Sequence, residues 1–370
     1  MTGDRSWDGS AERRFAAVQV RLAERERALS PFAARGATSR GRERPELPSL
    51  LRTEFQRDRD RILHSKAFRR LKHKTQVFIA PTGDHYVTRM THTLEVAQIA
   101  RTITRALNLN EDLAEAISLG HDIGHAPFGH AGEEALAELL GVSWRHNEQG
   151  ARVVEKLENG GRGLNLMWET REGIVKSSKV RQDIFAEAWG TPSTLEGQAL
   201  KIADAVAYVN HDILDAIRAG ILTEESLPAD THRVLGASHS ERINTLVSDI
   251  VDASWAATGE VPGSSSPAIA MSAEVRGVFN DLREFMFEHV YLLEDRQAEV
   301  VQARAIVRHL FNHYVAQPET LPEGFSLPGD PLRQRIADYI SGMTDRFAIR
   351  LAASQGCRAA EQWWSRNGEL

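Results

Sequence analysis

Apolar residues recur at helical spacing along most of the chain, which predicts a fold built almost entirely from helices. The periodic segments are Phe55–Leu71, Thr91–Leu107, Glu111–His121, Asn147–Leu157, Leu195–Ala219, Ala273–Glu294, Ala298–Val315 and Arg333–Ala353. Ala11–Leu29 also favours helix, but its apolar positions are too sparse for a deep core face. Pro31–Leu51 carries Gly36, Gly41, Pro45 and Pro48, the marks of an arm or extended connector. A short β-like piece, Thr75–Ala80, ends at Pro81-Thr82-Gly83-Asp84. Breaks rich in Gly, Ser and Pro fall at Thr258–Pro267 and Gln317–Pro331, and no internal repeat is visible. The expected class is all-α, with a helix and arm over 1–50, a core over 51–235 and a helical region over 236–370 packed on it.

Two of the stripes end in residues that an apolar face should not hold, and a third helix gathers acids on its polar face. In Thr91–Leu107 the stripe Val96, Ile99, Ile103, Leu107 steps back four residues onto His92. In the next helix Leu113 and Ile117 step forward four residues onto His121, which Asp122 follows. Leu195–Ala219 buries Ile202, Val206, Val209, Ile213 and Ile217, while its other face gathers Asp204, Tyr208, His211, Asp212 and Asp215. Each feature alone is compatible with a satisfied core histidine or a solvated acidic face. Together they offer two imidazoles and two carboxylates, and a buried acid is costly unless paired or metal-bound. A mixed N/O set without thiolate suits Mn²⁺, Mg²⁺, Co²⁺, Fe²⁺, Ni²⁺ or catalytic Zn²⁺. An ion so held can lower the pKa of bound water from ~15.7 towards ~7, which suits hydrolysis of phosphate esters or anhydrides.

Composition narrows the setting. The chain has 370 residues and one cysteine, Cys357, so neither an internal disulfide framework nor a multi-cysteine zinc site is available. No apolar run approaches the ~18–20 residues of a membrane helix and no secretory signal is evident, so no membrane partner and a cytoplasmic location are expected. The net charge is −6, yet Leu51–Lys74 holds nine bases against three acids. That segment is either a polyanion-attracting face or a helix laced with Arg/Asp pairs.

The order His92, His121-Asp122, Asp204 matches the His…His-Asp…Asp signature of the HD-domain metal-dependent phosphohydrolases, and His211-Asp212 repeats the bare pair as a decoy. Longer words are more specific. These are Arg52-Thr-Glu-Phe-Gln-Arg-Asp-Arg-Asp-Arg-Ile62, Ala67-Phe-Arg-Arg-Leu-Lys-His-Lys-Thr-Gln-Val-Phe78, Arg89-Met-Thr-His-Thr-Leu-Glu95, His121-Asp-Ile-Gly-His-Ala-Pro-Phe-Gly-His130 and Asp338-Tyr-Ile-Ser-Gly-Met-Thr-Asp-Arg-Phe347. All resemble the deoxyguanosinetriphosphate triphosphohydrolase-like family, over about Arg40 to Ala353.

The resemblance implies an HD-type catalytic core, its motif region at about 89–215, that hydrolyses a deoxynucleoside triphosphate to deoxynucleoside and tripolyphosphate. It places His92, His121, Asp122 and Asp204 as ligands of a divalent ion, most readily Mn²⁺. It puts His125 and His130 where the family has phosphate-binding and catalytic histidines, with Glu133 as the carboxylate partner of His130 and His146 as a further active-site histidine. Glu133 is three residues after His130, a spacing at which a helical carboxylate can orient an imidazole. Arg89, Gln76, Lys201, Tyr208 and Asp212 resemble substrate-contacting positions. Where many relatives read Leu-Lys-His after Thr170-Arg-Glu-Gly-Ile174, this chain reads Val175-Lys-Ser177. The family also implies a homo-oligomer, a tetramer or hexamer, and activation by a second nucleotide.

Two other activities remain open at this level: hydrolysis of nucleoside monophosphates or cyclic nucleotides, and binding of single-stranded nucleic acid through the basic segment. His309 and His313 have zinc-compatible i, i+4 spacing but no third ligand near them in sequence. Trp363-Trp364 reads as a packed tail, and no Gly-rich phosphate loop is present.

Overall fold

A computed structural model describes residues 9–76, 87–178, 190–291, 294–322, 327 and 329–367. The described residues form sixteen α-helical segments, with short 3₁₀ and π turns, and no strand longer than an isolated bridge. The all-α expectation therefore holds. Thr75 makes one such bridge, to Thr88, while residues 77–80 of the β-like piece and the turn after it lie outside the described residues.

Helix boundaries follow capping chemistry more closely than periodicity. The stretch expected as one helix over Phe55–Leu71 is Glu54–Leu63 followed by Lys66–Arg70, because the Ser65 side chain accepts the Phe68 N–H and starts a new helix. Thr53 opens the first of these with a capping box to Gln56. Arg333–Ala353 likewise divides into Leu332–Ser341 and Asp345–Ser354, with Thr344 capping the second. Ala273–Met286 passes into a π turn, Phe287–Tyr291, and a further helix spans Glu294–Ala316. Trp168–Val175, His239–Ala253 and Arg358–Asn367 are helices that the periodicity reading did not single out.

Three helices build the centre. Leu195–Arg218 packs along Arg89–Ala106, and both pack on Glu111–Gly120. Val96, Ile103, Leu107, Leu113, Ile117, Val206 and Ile213 are fully buried between them, each contributing roughly 2 kcal/mol of hydrophobic stabilisation. The apolar interior forms two clusters. One runs from Ala33 to Val290 and includes Leu246, Phe279 and Met286, so residues after 235 share the central core. The other joins Phe128, Leu136 and Trp144 to Ile306, Phe311, Ile336 and Trp363.

Polar contacts tie this second cluster to the turns after His121. The Lys74 ammonium, buried, donates to the carbonyls of His125 and Ser341 at 2.5 and 2.8 Å. Burial pulls its pKa down to about 7, with Asp345 opposing the shift. The Asp345 carboxylate accepts the Thr75 N–H at 3.0 Å, the Thr75 hydroxyl and the Phe128 N–H at 2.9 Å. Four arginines of the Leu51–Lys74 segment are paired within the fold: Arg52 with Asp60, Arg57 with Glu54 and Glu46, Arg59 with Asp60 and Glu115, and Arg61 with Glu46. No helix among the described residues is long and apolar enough to cross a membrane.

Asp345→Ala should leave the Phe128 and Thr75 donors unpaired in a buried setting, at a cost on the order of 3 kcal/mol. Thermal or urea unfolding should show that loss, and a change within 0.5 kcal/mol, the ordinary surface range, would contradict the anchoring role.

Candidate active site

The His/Asp cluster forms at the point where the three central helices end or cross. His92 lies in the first turn of Arg89–Ala106, a helix started by Thr88, whose side chain accepts the Thr91 N–H. His121 is the C-cap of Glu111–Gly120, and Asp204 sits mid-way along Leu195–Arg218. His92 Nε2 is 3.2 Å from Asp204 Oδ1, and His121 Nε2 is 3.9 Å from the same oxygen and 3.4 Å from Asp122 Oδ1. All four residues are buried.

His92, His121 and Asp204 bring one ligand atom each close enough to hold a divalent cation, whereas Asp122 groups by the same measure with His125 and His146. His121 Nδ1 lies 2.6 Å from the Ser118 carbonyl, so it carries the proton, and Nε2 is left buried without a hydrogen-bond partner. Such a lone pair, facing two carboxylates inside a protein, is free to coordinate an ion. Burial lowers the His92 pKa to about 4 despite Asp204, which keeps that imidazole neutral and able to coordinate. Burial alone would raise the Asp122 carboxyl, but the imidazoles around it and the Arg89 guanidinium hold it well below the usual range. Arg89 donates to Asp122 Oδ2 at 2.9 Å.

A second group of titratable residues adjoins the first. His125 Nε2 is 3.2 Å from Asp122 Oδ1, and burial pushes its pKa well down, with Arg89 and His146 adding to the effect. His125 and His146 stack with ring centroids 3.9 Å apart and planes 9° apart. Glu133 links His146 and His130, its Oε2 lying 3.1 Å from His146 Nδ1 and 3.5 Å from His130 Nδ1. Although burial opposes it, hydrogen bonding to both histidines drives the Glu133 pKa far down. Glu133 is thus shared, and its shorter contact is to His146 rather than to His130. The His130 side chain is the exposed member of the group, at 69%.

Two glycines allow this crowding. A Cβ on Gly124 would sit 2.0 Å from the His146 carbonyl oxygen and 2.2 Å from the Gly150 nitrogen, so only glycine lets the His146–Arg152 helix lie against the turn. Gly129 has φ +57°, and a Cβ there would meet Arg89 Nη2 at 2.8 Å.

A cavity of about 400 Å³ opens onto both groups. Gln76, Arg89, His92, His121, Asp122, His125, His130, Glu133, His146, Asp204 and Tyr208 line it. Lys201 and Asp212, expected as substrate contacts, do not line it, and both are buried in the Leu195–Arg218 helix. Asp212 accepts the Tyr291 hydroxyl, so its carboxylate lies behind that ring. Ser177, at the departure from the family word, lines the cavity and donates to the Ile174 carbonyl at 2.8 Å.

Further lining comes from residues that the sequence reading missed: Arg145, next to His146, and Arg283, Phe287 and Tyr291 on another wall. Phe287 and Tyr291 belong to the π turn, and Tyr291 lies 6.0 Å from Tyr208 between ring centroids. Their i, i+4 spacing was a visible signal, but core residues show the same spacing. Among the described residues, no candidate metal cluster includes His309 or His313, and Cys357 and Trp363 are buried.

Each of His121→Ala and Asp204→Ala should abolish stoichiometric Mn²⁺ binding while leaving helix content unchanged. Isothermal titration and circular dichroism check this, and tight binding retained by both variants would displace the site.

The chain's own words recur in known proteins. Residues 89–209 match the HD domain, and residues 269–354 match the phosphohydrolase-associated domain. A deoxyguanosinetriphosphate triphosphohydrolase-like protein of Caldanaerobacter subterraneus subsp. tengcongensis is 51% identical over 323 residues, covering 87% of this chain and 90% of that protein. One from Desulfatibacillum aliphaticivorans is 47% identical over 330 residues, covering 87% and 92%. Another from Clostridium tetani is 46% identical over 327 residues, covering 87% and 91%. Identity at that level over most of both chains, together with the HD domain that frames the His/Asp cluster, means that this chain belongs to the deoxyguanosinetriphosphate triphosphohydrolase-like family of HD-type nucleotide phosphohydrolases.

Proposed function

We propose that the protein hydrolyses deoxynucleoside triphosphates to the deoxynucleoside and inorganic tripolyphosphate, with a divalent ion, Mn²⁺ foremost, held by His92, His121, Asp122 and Asp204. The observation that carries this reading is one cavity that joins the His/Asp cluster, a row of basic and imidazole groups, and an aromatic wall. Its volume lies in the range of small-molecule sites. Arg89, Arg145 and His125 give the polar side a phosphate-binding character, while Tyr208, Phe287 and Tyr291 offer flat apolar surface to a sugar and base. The relatives' names point to the same substrate class.

When bound, the ion supplies positive charge to the phosphoryl oxygens and acidifies water. Water adds its oxygen to the α-phosphorus, the bond from phosphorus to the sugar O5′ breaks, and O5′ takes up a proton. Arg89 is a guanidinium that the cavity offers to the phosphate charge beside Arg145, and its bond to Asp122 fixes its direction. Glu133 receives the Nδ1–H of His146, which leaves Nε2 as the atom that exchanges a proton with water or O5′. His130, exposed and also within reach of Glu133, is the alternative proton carrier on the same carboxylate. His125 stacks on His146 and is held neutral, so it acts through hydrogen bonds and not as a proton carrier.

Purified protein with Mn²⁺ and each dNTP, alone and in mixtures, should release tripolyphosphate and deoxynucleoside. In H₂¹⁸O the label should enter the tripolyphosphate. Orthophosphate or pyrophosphate as the sole phosphate product would refute the reading, and turnover of only mono- or cyclic nucleotides would move the activity elsewhere within the HD class. Mixtures faster than single nucleotides would reveal activation, and sizing of the active species checks the homo-oligomer proposed by family analogy.

Glu133→Gln should keep its metal and lose turnover by on the order of 10²–10³-fold, the usual share of proton transfer. Unchanged turnover in that variant would remove Glu133 and its two histidines from the chemistry.

A further inference from the structure

The second His-Asp word, His211-Asp212, lines no part of the cavity, yet it is sealed into the structure at 1% exposure for each residue. His211 Nε2 is 2.8 Å from His92 Nδ1, and the two rings meet edge to face with centroids 4.9 Å apart. On its other side, His211 Nδ1 is 3.0 Å from Asp212 Oδ1. Asp212 Oδ2 in turn accepts the Tyr291 hydroxyl, and Tyr291 is a wall of the cavity.

Chemistry orders the protons along this row. A neutral imidazole has one bare nitrogen and one N–H. His92 turns Nε2 towards Asp204 and the ligand cluster, so a ligand lone pair on Nε2 requires the proton on Nδ1. That proton faces His211 Nε2 at hydrogen-bond distance. His211 then carries its own proton on Nδ1, which faces the Asp212 carboxylate at 3.0 Å in an electrostatic contact and not in a formed hydrogen bond. His121 meets the same requirement with a backbone acceptor, the Ser118 carbonyl. The helix interior offers His92 no such carbonyl in the contacts it makes, and a side chain takes that place.

We infer that His211 is a positioning residue for the metal ligand His92: its Nε2 accepts the His92 Nδ1–H, fixing tautomer and ring plane, while the Asp212 carboxylate, which accepts the Tyr291 hydroxyl, faces its other nitrogen. The row His92–His211–Asp212–Tyr291 thereby connects the metal centre to the aromatic wall. This inference rests on the reading that the His/Asp cluster holds a divalent ion.

Co²⁺ titration of the full-length protein tests it, read both by affinity and by the visible d–d absorption of the bound ion. His211→Leu should weaken Co²⁺ binding about 10–100-fold, the usual effect of losing an outer partner of a ligating histidine, and should shift the d–d bands. His211→Gln, whose amide oxygen can accept the same N–H, should recover most of that loss. A purely structural role predicts equal damage from Leu and Gln. His211→Phe keeps a planar ring without a nitrogen and makes the same comparison if the Leu variant does not fold. Wild-type affinity and spectrum in the Leu or Phe variant, or a Gln variant no better than either, overturns the inference. Absence of Co²⁺ and Mn²⁺ binding in the wild type itself is a different result, since it removes the metal reading on which the inference stands.

Discussion

Asp122 holds a carboxylate inside a helical core, 4% exposed, and most of the site's architecture serves to make that burial tolerable. The Arg89 guanidinium compensates one oxygen, while His121 and His125 face the other. For Arg89 to reach it, a helix must begin immediately before that arginine, which Thr88 ensures by capping. The turn that follows must also pass the guanidinium without a Cβ, which Gly129 allows. His92, three residues along the same helix, is then delivered to Asp204 on the neighbouring one. The His/Asp cluster is thus a consequence of how a single buried charge is accommodated.

The C-terminal half contributes to this centre twice, by different physics. Asp345 and the Ser341 carbonyl hold the turn between Asp122 and His130 through hydrogen bonds to Phe128, Thr75 and Lys74. Arg283, Phe287 and Tyr291 close the cavity from the opposite side. Phe279 and Met286, on the helix that leads into the π turn, lie fully buried in the central apolar cluster, so that wall is anchored to the core. A cut at residue 235 would therefore pass between two parts that share one interior.

The basic segment shows how charge counting and charge placement diverge. Nine bases within Leu51–Lys74 suggest a polyanion surface. In the fold, four of its arginines meet Glu46, Glu54, Asp60 or Glu115, and Lys74 is buried against carbonyls. Acids from outside the segment, invisible to a local count, supply part of that compensation.

The all-α class, the approximate helices and the His/Asp positions that meet at the cluster were legible in the chain because they depend on spacing. A stripe with period 3.6 that ends in His or Asp states both the helix and the misplaced polar residue. Breaks such as Ser65 and Thr344 were harder, since a cap competes with a periodic stripe that runs through it. Packing alone decided that Glu133 serves two histidines, that Asp212 sits behind Tyr291, and that a π turn some eighty residues beyond Tyr208 completes the cavity. Those facts are distances between residues far apart in sequence. A single chain fixes such distances only when its helices have buried their faces against one another.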